Sequence, residues 1–209
     1  MNRTGCWCWI SKQSTEDDQQ GRKRGMMSDI FQGDLVRLRA IEAASWEVFY
    51  EWNFDTDGAR QLYEIPFPSS RERVQAWVQS TAKDDNKGED FNFQIERLDG
   101  EMVGTITTHH CNPRCGTFMY GIAILPHHRR QGYASEAVRL VLRYYFQERR
   151  YQKVNVEVYG FNESSMRMHE GLGFTLEGQL RRMIYTQGKY HDILIYGMTV
   201  EEFEAQHNG

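Results

Sequence analysis

The stretch Leu125-Pro126-His127-His128-Arg129-Arg130-Gln131-Gly132-Tyr133-Ala134-Ser135-Glu136 decides how the chain is read. A β-patterned run ends at Pro126, a polar and basic loop follows, and Gly132 opens a helix that continues to Gln147. Its residues Ala134, Val138, Val141, Leu142 and Tyr145 share one stripe. A strand leading through such a loop into a helix N-terminus aims several unpaired backbone N–H groups at one spot, where the helix dipole adds positive potential. That spot binds phosphate. Gly132 and Ala134 lack bulk, so a pyrophosphate can approach the backbone, while Arg129 and Arg130 add charge. Taken alone, the pattern also fits a capped helix behind a solvated basic loop.

Outward from this stretch the hydrophobic period switches repeatedly between about 2 and about 3.6, the mark of a mixed α/β chain. Upstream, residues 34–40 alternate as a first strand, and 44–54 and 69–83 read as helices, the second opened by Ser69-Ser70 with Glu72 nearby. Between those helices lies a polar connection, 55–68, with an isolated Tyr63-Glu64-Ile65, the kind of loop that shapes substrate sites. Residues 90–97 and 101–108 alternate around Leu98-Asp99-Gly100 as a hairpin, and 117–125 form the fourth strand. Downstream, Val154, Val156 and Val158 alternate with Asn155, Glu157 and Tyr159 in a fifth strand. Residues 163–172 form a short helix, and 174–185 and 190–200 make two last strands about Gln187-Gly188.

The chain has 209 residues, of which 40% are hydrophobic and 26% charged, enough to bury one domain's core. With 29 acidic against 25 basic side chains the formal charge is -4, so no global positive field draws nucleic acid or an anionic membrane. A mean hydropathy of -0.69 agrees with the lack of any apolar run long enough to span a bilayer. Residues 1–27 carry little apolar periodicity and read as a disordered N-terminal extension, with a domain over 28–205 and a tail at 206–209. Cys6-Trp7-Cys8-Trp9-Ile10 is too short for the apolar core of an export signal, which together with sparse cysteines points to the cytoplasm. His109-His110-Cys111-Asn112-Pro113-Arg114-Cys115 gathers potential zinc ligands, but Asn112-Pro113-Arg114 reads as a hairpin tip and no metal is expected there.

Competing motifs are missing. There is no G-x-x-x-x-G-K-[ST] run, no G-x-G-x-x-G after a strand and no G-x-S-x-G elbow.

Arg129-Arg130-Gln131-Gly132-Tyr133-Ala134 matches the [QR]-x-x-G-x-[GA] motif of GNAT-type acetyltransferases. Asn162-Glu163-Ser164-Ser165, followed by Glu170-Gly171-Leu172-Gly173-Phe174, matches their second motif. Gly178-Gln179-Leu180-Arg181 and Gly188-Lys189-Tyr190-His191-Asp192 resemble the C-terminal strands of the ribosomal-protein-alanine N-acetyltransferase-like branch, and the resemblance covers residues 30–203. It implies a single α/β (α+β) domain: a mixed, mostly antiparallel sheet of about seven strands splayed between strands four and five, flanked by about four helices. Acetyl-coenzyme A would lie in the gap. Its pyrophosphate would sit on the loop from Arg129 to Ser135, with donors from the backbone of Arg130, Gln131, Gly132, Tyr133 and Ala134. Its pantetheine arm would pair with strand four at Ile122, Ile124 and Leu125, and Asn162 and Ser165 would hold it from the other side.

In N-terminal-amine acetyltransferases of this family, a Glu five positions before the motif Asn serves as base, which here is Glu157. A Tyr seven positions after it protonates the leaving thiolate; this sequence has His169 there. A neutral imidazole N–H can hydrogen-bond sulfur, and an imidazolium, of ordinary pKa ~6.5, can deliver a proton. The acceptor would be a primary amine, either a protein N-terminus or a small amine, with Glu64, Asp55 and Asp57 as candidate carboxylates for its charge. Because the acid departs from the family pattern, a catalytically weak acyl-coenzyme A-binding sensor is the alternative. Exposed strand edges at the C-terminal hairpin leave room for a homodimer.

Overall fold

The computed structural model describes residues 29–62, 65–84 and 88–207; the expected extension and Glu64 lie outside these. Seven strands form one sheet: β1 (Val36–Ala40), β2 (Asn92–Arg97), β3 (Met102–Asn112), β4 (Thr117–Ile124), β5 (Lys153–Tyr159), β6 (Thr175–Thr186) and β7 (Lys189–Thr199). Their order is β1-β2-β3-β4-β5-β7-β6, antiparallel throughout except between β4 and β5. That parallel pair is short: Thr117, Phe118 and Met119 face Lys153, Val154 and Asn155, and the pairing then stops. Beyond it, the β5 side of residues 120–124 has no strand partner among the described residues.

Six α-helices accompany the sheet among the described residues: α1 (Trp46–Trp52), α2 (Thr56–Leu62), α3 (Arg71–Thr81), α4 (Tyr133–Arg143), α5 (Glu163–Gly171) and α6 (Val200–His207). Two of them, α2 and α6, exceed the four expected. The α2 sequence TDGARQL has a glycine in its first turn and no apolar stripe, so its composition reads as loop. Helix α6 follows β7 without a break, opened by Thr199 and Glu202, which exchange side-chain-to-backbone hydrogen bonds of 2.8 and 3.4 Å. It is anchored by buried Phe203 and runs two residues into the segment read as a tail. Helix α4 passes into a π-helical turn at Tyr144–Glu148, where the sequence reading had one continuous helix.

The apolar stripe of α4 packs Val138, Val141, Leu142 and, from the turn, Tyr145 against Ile106, Phe118, Val154 and Val156 of the sheet. Each such fully buried side chain contributes about 1.5–3 kcal/mol relative to exposure. A second cluster of Ile41, Phe49, Val74, Val78 and Met102 fastens α1 and α3. The first turn of α4 is tied to the entry of β1 by Glu136, whose carboxylate accepts the N–H groups of Asp34, Leu35 and Val36 at 3.0, 2.7 and 2.7 Å. One acidic side chain thereby satisfies three backbone donors and fixes where the glycine loop points.

Candidate active site

Where β4 and β5 part, a cleft of about 440 Å3 opens. One wall is Ile122, Ala123 and Ile124 with Arg129, Arg130 and residues 132–135. The other is Asn162, Ser164, Ser165 and Met168 at the start of α5, and Trp52, Gly58, Gln61 and Leu62 form the roof.

The loop between β4 and α4 is bent by two left-handed residues, Arg130 (φ 63°) and Gly132 (φ 86°). Gly132 is the N-cap and offers no side chain to the amides of the first turn; the first helical bond runs from Glu136 N–H to the Gly132 carbonyl at 3.1 Å. The N–H groups of Tyr133, Ala134 and Ser135 are therefore left to the cleft that these residues line. A Cβ at position 132 would meet Leu35 Cδ1 at 3.3 Å and carry an unfavourable φ. This is a cradle suited to a diphosphate, and the residues present fit one.

Two of the residues expected at this loop have their side chains held within the protein, and a third lies off the cleft wall. The Arg129 guanidinium donates to the Ile124 carbonyl at 3.1 Å and to Asp55 at 2.5 Å, so its charge is already partnered. Gln131 braces the loop, donating to the His127 carbonyl and accepting from the Tyr133 hydroxyl, at 3.2 and 3.1 Å. Leu125 is absent from the wall: its N–H goes to the Val103 carbonyl and its own carbonyl receives the His128 N–H, both at 2.9 Å. The stretch of β4 open to an added strand thus ends at Ile124.

On the facing wall, Asn162 is the N-cap of α5. Its Oδ1 accepts from Ser165 N–H at 3.1 Å and from the Ser164 hydroxyl at 2.9 Å, which leaves the Nδ2 amide as its group available to a ligand. The two readings of this residue, cap and cofactor ligand, are compatible.

His169 is corrected by its surroundings. It is 1% exposed, within the core rather than on the cleft wall, and both ring nitrogens are engaged. Nδ1 lies 2.8 Å from the Ser165 carbonyl, which can only accept, so Nδ1 carries the proton; Nε2 then accepts from the Tyr120 hydroxyl at 2.8 Å. Burial pulls its pKa down to about 4, only partly offset by the Ser165 carbonyl. Near neutral pH it is an uncharged hydrogen-bonding bracket, not an imidazolium acid. Sequence offset alone carried no information about Tyr120, 49 positions away.

Glu157 is exposed, on the β5 face opposite buried Val154, Val156 and Val158, two residues past the last β4 contact. Its charge reaches His109 on β3, whose pKa is nevertheless lowered, first by burial and then by His110. Neither Asp55 nor Asp57 is a free carboxylate for a cationic substrate, since Asp57 pairs with Arg60 at 2.5 Å and Asp55 with Arg129. At the β3–β4 tip, burial pushes the Cys111 thiol up to about 12, and among the described residues no three His, Cys, Asp or Glu side chains converge as a metal site. Trp52 and Met168 also line the cleft, and nothing in their local sequence marks them, whereas Gln61 and Leu62 belong to the 55–68 connection expected to shape a substrate site.

Residues 36–175 match the acetyltransferase (GNAT) domain. The chain belongs to the GNAT acetyltransferase family. It is 40% identical over 175 residues to the SPbeta prophage-derived uncharacterized N-acetyltransferase YokL of Bacillus subtilis, covering 84% of this chain and 96% of that one. The putative ribosomal N-acetyltransferase YdaF of the same organism is 28% identical over 52% of this chain and 59% of its own. In structure, the fold is shared with spermidine N-acetyltransferase from Vibrio cholerae, solved in complex with CoA and spermine: TM-score 0.71, 20% identity, 81% of this chain and 98% of that one. The GNAT family and these relatives make the chain an acyltransferase of the N-acetyltransferase class.

Proposed function

We propose that this GNAT protein moves an acetyl group from acetyl-coenzyme A to a primary amine, a small amine or a protein N-terminus, by direct attack with both substrates in the cleft. The observation that carries this reading is the parting of β4 and β5 after Met119 and Asn155 beside the uncapped first turn of α4. When bound, the cofactor supplies an acetyl thioester, an acyl group activated toward amines. The amides of residues 132–135, with Arg130, receive the diphosphate, and the open edge of β4 at Ile122 and Ile124 pairs with the pantetheine arm as an added strand. Asn162 Nδ2 and Ser165 hold the arm from the α5 side. Glu157, exposed where the strands have separated, takes the amine proton directly or through a water. Departure of the thiolate is left to solvent, and His169 acts indirectly by holding Tyr120 and the first turn of α5.

The likeness to spermidine N-acetyltransferase supports a polyamine as the first acceptor to try. Exposed Leu176, Leu180, Met183 and Tyr185 on the outer strand β6 support self-association, and the free thiols of Cys111 and Cys115 suit a cytoplasmic setting.

The test is thiol release from acetyl-coenzyme A with spermidine, an aminoglycoside and an alanine-initiated peptide. Turnover with any of these supports the transferase. Coenzyme A binding without turnover on any amine favours the sensor reading, and no binding overturns both.

A further inference from the structure

Helix α2 bridges the diverging ends of β4 and β5 and is fastened at both. On the β4 side, Asp55 accepts the Gly58 N–H through Oδ1 at 3.0 Å and an Arg129 N–H through Oδ2 at 2.5 Å. The Nε of the same guanidinium donates at 3.1 Å to the carbonyl of Ile124, the last residue of β4. On the β5 side, the hydroxyl of Tyr159, that strand's last residue, donates at 2.8 Å to the carbonyl of Leu62, the last residue of α2. With seven residues, α2 is far below the ~12–15 at which a helix persists unaided in water, and only Gly58 within it is buried. Its position depends on these ties.

Gly58 carries a second sign of the arrangement. It is the third residue of α2, in the first turn, where its N–H has no intrahelical partner and is free for the Asp55 carboxylate. Here a Cβ would stand 2.2 Å from Asp55 Oδ2 and 2.7 Å from Arg129 Nη2, so a side chain at 58 would push the ion pair out of its present geometry. The missing side chain gives the tie its room.

We propose that α2 is a clasp tied across the β4–β5 gap, with Asp55 and Tyr159 as positioning residues that hold its cleft-facing side toward the amine acceptor. This rests on reading the cleft as the cofactor and acceptor site. Arg129 belongs both to the clasp and to the loop that receives the diphosphate, and Gly58, Gln61 and Leu62 face the same cleft. A ligand on the loop is therefore felt by α2 as added stability, because it favours the clasped arrangement over the loosened one.

The experiment is hydrogen exchange on the unaltered chain, Asp55→Asn and Tyr159→Phe, each with and without coenzyme A, alongside the calorimetric Kd for coenzyme A. Asp55→Asn keeps an oxygen for the Gly58 N–H while removing the charge, and Tyr159→Phe removes one hydroxyl. In each variant residues 56–62 should exchange about tenfold faster or more, with β4 and β5 unchanged. Coenzyme A should slow their exchange in the unaltered chain and lose that effect in Asp55→Asn, though the Kd stays within about threefold. With an amine that the unaltered chain turns over, KM for the amine should rise in both variants more than kcat falls. Unchanged exchange at 56–62, or loosening spread equally over β4 and β5, overturns the clasp. Failure of the unaltered chain to bind coenzyme A is seen by calorimetry alone and instead removes the reading of the cleft.

Discussion

The Tyr120 hydroxyl donates to Nε2 of His169 at 2.8 Å, joining β4 to α5 behind the cleft walls. The bond requires a neutral imidazole, and that requirement makes the core sensitive to acid. His169 is held at about 4 in the fold, chiefly by burial, against ~6.5 in an unfolded chain. Between those values the unfolded chain binds more protons than the native one, so this group's contribution is complete above pH ~6.5 and is lost as pH falls toward ~4. The slope approaches about 1.4 kcal/mol per pH unit within that window. In His169→Phe that slope should vanish, on top of a constant loss of about 1–3 kcal/mol from the stranded Tyr120 hydroxyl. Urea melts of both proteins from pH 4 to 8 read the difference; parallel pH profiles would mean the ring is not held neutral by the fold.

The same pair sets an expectation for kinetics. A neutral, bracketed His169 contributes no ionisation to kcat between pH 6 and 9, so the kcat profile of His169→Phe should differ from that of the unaltered chain in height and not in shape. A pH-rate series under saturating substrates checks this, and loss of one limb of the profile in the variant would restore His169 as an acid.

Glu157→Gln should lower kcat by about 10²–10⁴ and leave coenzyme A affinity unchanged, as expected for removal of a general base that lies off the cofactor wall. Steady-state kinetics with calorimetry separate the two effects. Near-full turnover would move the base to solvent.

Glu136→Ala strands the N–H groups of Asp34, Leu35 and Val36 at once. A loss of about 2 kcal/mol or more is expected, with weaker coenzyme A binding because the α4 turn is no longer anchored to β1. Thermal unfolding and calorimetry measure both; a change below about 0.5 kcal/mol would mean water replaces the carboxylate.

How far the sequence could be read follows from the range of the interactions. The β4–loop–α4 unit was legible because strand period, helix stripe and Gly132 all lie between Thr117 and Tyr145 and each has a local physical signature. Asn162 was legible as a cap for the same reason. The Asp55–Arg129 tie spans 74 positions, and neither residue differs in sequence from a solvated charge. Helix α2 was hidden because its seven residues include a glycine and no apolar stripe and are held by ties to residues far off in sequence. Strand β3 outran its expected end at Thr108 because His110 takes a left-handed conformation (φ 51°), shifting the register and letting the ladder resume at Asn112. The helix α6 signal, Thr199 with Glu202, was present but was submerged in the alternation of the preceding strand.

Calorimetric titration of coenzyme A into the unaltered chain and into Gly132→Val tests whether the glycine turn opening α4 receives the cofactor's diphosphate. Gly132 has φ 86° and contributes no core side chain, so valine there obstructs the backbone cradle and strains one residue while leaving the buried clusters intact. Measurable binding to the unaltered chain is expected, with a loss of at least about tenfold in affinity, equivalent to about 1.4 kcal/mol, in the folded variant. Equal affinity in the two proteins, or no binding to the unaltered chain, would contradict it.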